Sequence, residues 1–230
     1  MILSVGCSWT YGTGVNANET YSAHLQNLLN KPVINAGAPG TDIEYAIWSA
    51  YRLVKEYNPS LVLFQLTTLD RMTFSSDGKQ NFLNGKYHNG KEQKIYKQEG
   101  KHVRLYGIGD NTIEHITVSG YLEALEKPSE KSTAIKYFNE NVVYGNLKQE
   151  KISMQLQLLK SYLKDRIVFF PWLHWYKEFS QTLDPVDIRQ DSVVEFLGDG
   201  YYVDKGFHIN NAGHKRVAEE YILPMIEGSL

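Results

Sequence analysis

The run Leu61-Val62-Leu63-Phe64 is apolar at every position. Successive strand residues point to opposite faces, so such a strand has to be covered on both sides, as when helices flank a parallel sheet. The preceding sequence supplies the other parts of that arrangement. Ile2 to Gly6 is a second apolar run, closed by glycine and followed by the loop Cys7-Ser8-Trp9. Tyr21, Leu25, Leu28 and Leu29 recur at helical spacing up to Lys31-Pro32, and Val33-Ile34-Asn35 forms the next strand. After the turn Ala36 to Gly40, Thr41-x-x-Glu44 reads as a capping box opening a helix with Ile43, Ala46, Ile47, Ala50, Val54 and Tyr57 on one face. Asn58-Pro59 ends it. Repeated strand-helix steps of this kind predict an α/β fold, a three-layer α/β/α arrangement around a mostly parallel, doubly wound sheet.

From about Ser75 to Lys131 the pattern changes to short Tyr, Phe and Val segments between Asp77-Gly78, Asn84-Gly85 and Asn89-Gly90 turns. We read 75–131 as a β-rich and partly helical insertion, a lid or substrate-selecting segment within a single domain spanning 1–230. The regular alternation resumes with Ile152, Leu156, Leu159 and Leu163 on a helix and with the strand Ile167-Val168-Phe169-Phe170. A last helix carries Val217, Ala218, Tyr221, Ile222 and Met225 after a polar loop, Asp204 to Gly213.

Composition excludes several classes of function. A formal net charge of -2 without a Lys/Arg block argues against nucleic acid as a partner. The single cysteine, Cys7, forms no disulfide framework, and no metal-ligand cluster is apparent. No phosphate-binding glycine motif is complete, so a nucleotide cofactor is not expected. With no apolar stretch approaching the roughly 20 residues that span a bilayer and no signal-peptide pattern, the expected location is cytoplasmic.

In an open α/β sheet, ligands bind at the carboxyl ends of the strands, where the first three loops present Ser8, Gly37 and Thr67. A serine hydroxyl needs a base to become a nucleophile, and acyl transfer needs donors aimed at the developing oxyanion. The backbone N–H groups of Ser8 and Gly37 are candidate donors, since glycine at 37 lets the backbone approach a substrate closely. Cys7 points away from Ser8 on an extended segment and reads as a small buried filler.

Gly6-Cys7-Ser8-Trp9-Thr10-Tyr11-Gly12 resembles the G-D-S-L-(S/T)-x-G block of the SGNH (GDSL-like) hydrolases, with cysteine in the aspartate place. Asn35-Ala36-Gly37-Ala38-Pro39-Gly40 is similar to the family's N-x-G-x-x-G block, and Asp204 to His214 to its D-x-x-H-x-N/S-x-x-G-H block. The resemblance implies Ser8 as nucleophile, His208 as base, Asp204 as the acid orienting it, and Ser8, Gly37 and Thr67 as the oxyanion hole. It departs from the family in two places. Gln65-Leu66-Thr67-Thr68 stands where the family has G-x-N-D, so a Thr67 hydroxyl has to replace the oxyanion asparagine. Asp204 also lies one position further from its histidine than in the family; if it fails to reach, the imidazole depends on a backbone carbonyl or Asp199 or lacks a charged partner.

Other residues carry open alternatives. His214, in the same block, reads as structural. Arg71 either pairs with Asp70 or holds an anionic substrate at the cleft. Trp172, Trp175 and Tyr176 are either core and rim aromatics or a stacking surface for a sugar or acyl chain. The resemblance implies a serine esterase acting on a small-molecule or glycan ester, such as an acylated carbohydrate or a lipid, and implies no metal or organic cofactor. It is strongest to the divergent G-C-S-x-T group of bacterial and bacteriophage proteins. The rival is a degenerate domain that binds a glycan or a protein; an acyltransferase using the same serine is a third reading. Catalysis requires His208 within hydrogen-bond reach of Ser8, and a binding module does not.

Overall fold

The computed structural model describes residues 1–39, 41–67, 71–76, 87–88, 101–102, 114–119, 146–173, 191–203 and 207–229. In chain order these form β1 (Ile2–Gly6), α1 (Ser8–Tyr11), α2 (Tyr21–Leu29), β2 (Val33–Gly37), α3 (Ile43–Tyr57) and β3 (Leu61–Leu66). Four strands follow, β4 (Arg71–Ser76), β5 (Tyr87–His88), β6 (Lys101–His102) and β7 (Glu114–Ser119), and then α4 (Asn146–Leu163) and β8 (Ile167–Pro171). The chain continues through α5 (Val193–Leu197) and α6 (Asn211–Arg216), and a π-helical stretch, Val217–Ile222, joins α6 to α7 (Leu223–Ile226).

The main sheet has the order β6-β2-β1-β3-β8, and all its pairings are parallel. Alternate residues of its strands enter two separate cores. Leu3, Val5, Ile34, Val62 and Phe64 meet Ala46 and Leu53 of α3 and Ile152 and Leu156 of α4 on one face. On the other, Ile2, Val33, Leu61 and Leu63 meet Tyr21 and Leu25 of α2, Val193 of α5, and Tyr221 and Ile222. Each fully buried side chain of this size contributes about 1.5–3 kcal/mol. A register slip of one residue would exchange the two faces, so this packing fixes the strand pairing. The expected three-layer α/β/α architecture is what the chain adopts.

Local boundaries differ from the sequence reading. Asp42, not Thr41, caps α3: its carboxylate accepts from Tyr45 N at 2.8 Å, while the Thr41 hydroxyl donates to Ala38 O at 2.7 Å and closes the preceding turn. The final helix begins at Asn211, capped by the Asn210 side chain, so Asn211, Ala212 and Gly213 belong to its first turn and not to the preceding loop. The described residues of the segment 75–131 all lie in strands. Strand β4 starts at Arg71, earlier than expected, and an antiparallel sheet of order β4-β7-β5 forms beside the main one. Strand β6, from the same segment, instead extends the main sheet next to β2. The Asp-Gly and Asn-Gly turns proposed for it lie outside the described residues.

The chain runs from β1 to β2 on one side and then crosses back to β3 on the other. The crevice at the carboxyl ends of β1 and β3 is therefore a topological switch point, the place where such sheets bind ligands.

Candidate active site

Strand β1 delivers Ser8 to this crevice as the first residue of α1, with only 7% of its surface exposed. The turn is tight. A side chain on Gly6 would overlap Thr10 Oγ1 and Gln65 Oε1, and Gly12 ends α1 at φ 82°, a conformation that favours glycine. Ser8 N–H makes none of the hydrogen bonds found among the described residues.

His208 reaches Ser8 from a short hairpin. Val203 N donates to His208 O at 2.8 Å and Asn210 N to Tyr201 O at 2.7 Å, on either side of a Tyr202–Ile209 bridge. Phe207 takes the left-handed conformation, φ 57°, uncommon outside glycine and asparagine. Its carbonyl is held by Trp172 Nε1 at 3.3 Å, and the Trp172 ring stacks on Trp9 at 5.6 Å with an interplanar angle of 5°. The residue after Ser8 and the residue before His208 are thus both tied to one indole. His208 Nε2 lies 2.9 Å from Ser8 Oγ across 200 residues of sequence.

Two residues expected to touch substrate have other partners. Trp172 is fully buried, so it belongs to the core and braces the His208 hairpin instead of offering a stacking surface. Gly37 N–H donates to Asn35 Oδ1 at 2.9 Å, and Asn35 Nδ2 donates to Thr10 O at 2.7 Å. A Cβ at 37 would overlap Tyr11 N, so glycine there serves the close approach of β2 to α1, and its N–H is engaged within the protein. Thr67, immediately past the end of β3, is fully buried, and its hydroxyl has no hydrogen-bond partner among the described residues. Buried hydroxyls are ordinarily paired, so this one is an exception at the end of the strand beside β1.

His214 is 1% exposed, and its Nδ1 accepts from Tyr21 N at 3.2 Å, which puts the ring proton on Nε2. Burial, then the neighbouring His24 and His208, push its pKa down to about 3, so the ring is neutral near pH 7 and structural as expected. Tyr21, whose hydroxyl burial holds protonated up to about 12, donates to Thr10 Oγ1 at 3.0 Å beneath the turn that carries Ser8. Arg71 opens β4, Asp199 is exposed in the turn before the hairpin, and Asp204 and Trp175 lie outside the described residues. No group of three or more His, Cys, Asp or Glu side chains suited to a metal occurs among the described residues.

Sequence reasoning missed Gln65 and Trp9. Gln65 is the polar residue in an otherwise apolar buried strand, a signal that it has partners to satisfy.

No family model matches the sequence, and no curated protein matches it significantly. Among solved structures, that of TesA superposes with a TM-score of 0.56 at 14% identity, covering 100% of this chain and 99% of its own. A G-D-S-L-family protein from Desulfitobacterium hafniense DCB-2 superposes at 0.50 with 11% identity, covering 100% and 98%. With the crevice, the sheet order and these superpositions taken together, the chain has the fold of the SGNH (GDSL-like) hydrolases.

Proposed function

We propose that the protein is a serine hydrolase that cleaves an ester through an acyl-enzyme on Ser8. The observation that carries this reading is the 2.9 Å contact between His208 Nε2 and Ser8 Oγ at the switch-point crevice. To accept the serine proton, His208 carries its own proton on Nδ1; Asp204 is the residue we assign to orient that tautomer. Ser8 Oγ bonds to the acyl carbon as its proton passes to Nε2. The developing oxyanion is met by Ser8 N–H and by the unpartnered Thr67 hydroxyl. The bond to the leaving oxygen then breaks as Nε2 returns the proton to the departing alcohol. Water attacks the acyl-enzyme, giving its proton to Nε2, and the freed acid and Ser8 hydroxyl complete the cycle.

The substrate is a small-molecule or glycan ester, an acylated carbohydrate or a lipid. Arg71 and Trp175 are assigned to its binding, and the segment 75–131 to its selection within a single domain. No helix among the described residues is long and apolar enough to cross a membrane. We place the protein in the cytoplasm. The non-catalytic binding module has no need of the histidine-serine contact, which favours the hydrolase.

The test is labelling with a fluorophosphonate, followed by peptide mapping, of native protein, Ser8→Ala and His208→Ala. Labelling at Ser8 that is lost in both variants is expected. Well-folded native protein that takes up no label would refute the assignment.

A further inference from the structure

Gln65 is fully buried in β3, and its side chain crosses to the turn that carries Ser8. Its Oε1 accepts from Cys7 N–H at 3.0 Å, from the Thr10 hydroxyl at 3.2 Å and from the Cys7 thiol at 3.4 Å, and its Nε2 donates to Leu66 O at 2.6 Å. The donors lie on both sides of Ser8 in sequence. Rotating the amide the other way would set its NH2 against Cys7 N–H, so the orientation is determined by the partners. With the Thr10 proton committed to Gln65, the Thr10 oxygen receives Tyr21 O–H, which in turn receives Ser4 O–H at 2.8 Å. Four side chains thus form one directed chain ending on Gln65 Oε1, and Gly6 leaves the space that chain needs. Gln65 also opens the segment where this sequence departs from the G-x-N-D pattern, and a glycine there has no side chain with which to reach Cys7.

We propose that Gln65 is a positioning residue for the nucleophile: acting through Cys7 and Thr10, it holds the turn so that Ser8 Oγ stays on His208 Nε2. The proposal rests on Ser8 being the nucleophile. Gln65→Met keeps the length of the side chain and removes the acceptor. Gln65→Glu keeps an acceptor for Cys7 and Thr10; protonated, it also offers an O–H to Leu66 O, and ionised, it loses that donor and sets a buried negative charge against the Leu66 carbonyl. Among the described residues, the titratable groups facing this position are the Cys7 thiol on the turn and, one hydroxyl away on α2, Tyr21; β8 presents Phe170 in register.

The experiment measures kcat and KM on p-nitrophenyl acetate and the rate of fluorophosphonate labelling at Ser8 across pH, with folding checked by circular dichroism. In Gln65→Met, kcat and labelling should fall about 10- to 100-fold with KM unchanged, the cost of misplacing a reacting group. The Gln65→Glu rate, divided by the native rate at each pH, should decline as pH rises through the buried carboxyl's ionisation. The same ratio for Gln65→Met should stay flat, because dividing by the native rate removes any pH dependence common to both proteins. Native rates in folded Gln65→Met would overturn the proposal. If native protein takes no label, the hydrolase reading fails separately. Amide exchange of residues 7–11 then decides this one, since faster exchange in Gln65→Met than in native protein supports the brace and equal exchange overturns it.

Discussion

Replacing His214 by asparagine should change how stability depends on pH. Folded His214 protonates only near pH 3, against an ordinary value of 6.5. Below about pH 6.5 the unfolded chain therefore binds a proton that the folded protein refuses, and stability drops as pH falls, with the loss complete near pH 3. Each pH unit in that window costs about 1.4 kcal/mol. At pH 5, about 1.5 units below the ordinary value, native protein should have lost about 2 kcal/mol through this one ring. Asparagine keeps an acceptor for Tyr21 N–H but does not titrate, so the variant, whatever its stability at pH 7, should lose about 2 kcal/mol less between pH 7 and pH 5. Urea unfolding followed by tryptophan fluorescence at pH 7, 6 and 5 measures this directly, because Trp9 and Trp172 are both buried. Carboxylates titrate in both proteins and cancel in the difference. Parallel stability curves would show that burial does not hold His214 neutral, and the reasoning from its environment would fail.

Three further outcomes are expected. Thr67→Val should lower kcat by about 100- to 1,000-fold with little change in KM, while Thr67→Ser keeps most of the activity; a fully active valine variant would remove Thr67 from the oxyanion hole. Trp172→Phe preserves a ring against Trp9 but loses the donor to Phe207 O, and should cost about 1 kcal/mol in denaturant unfolding and slow the labelling of Ser8. Labelling as fast as in native protein would leave that indole without a role in holding His208. Asp204→Asn should reduce kcat by up to about 10,000-fold on a p-nitrophenyl ester, and an unchanged rate would mean that another group orients the imidazole.

The layered fold was readable because its determinants are local: Leu61 to Phe64 is apolar on both faces, and α3 carries its apolar stripe at helical spacing. Ser8 and His208 were readable from the blocks around them, and the fold brings them together. What escaped depended on partners distant in sequence. Glycine at 37 looks the same whether its neighbour is a substrate or Tyr11, and only the packing of β2 on α1 distinguishes the two. Trp172 follows a strand on the binding side of the sheet, and nothing local reveals that its N–H is spent on a carbonyl of the His208 hairpin. Thr41 and Asp42 are both good caps in adjacent positions, and the choice between them was made by the Ala38 carbonyl, which takes the threonine hydroxyl. Gln65 was passed over because its partners belong to a neighbouring strand's loop.

The 200-residue separation of Ser8 and His208 also orders events during synthesis. At ribosomal speeds of about 5 to 20 residues per second, the serine leaves the ribosome about 10 to 40 s before its partner. Through that interval β1, β2 and β3 can already pair, yet the hydroxyl has no base and stays unreactive. On the proposed function, chemistry would switch on only when residues 207–210 dock, so the appearance of Ser8 labelling in a translation reaction would time the completion of the fold.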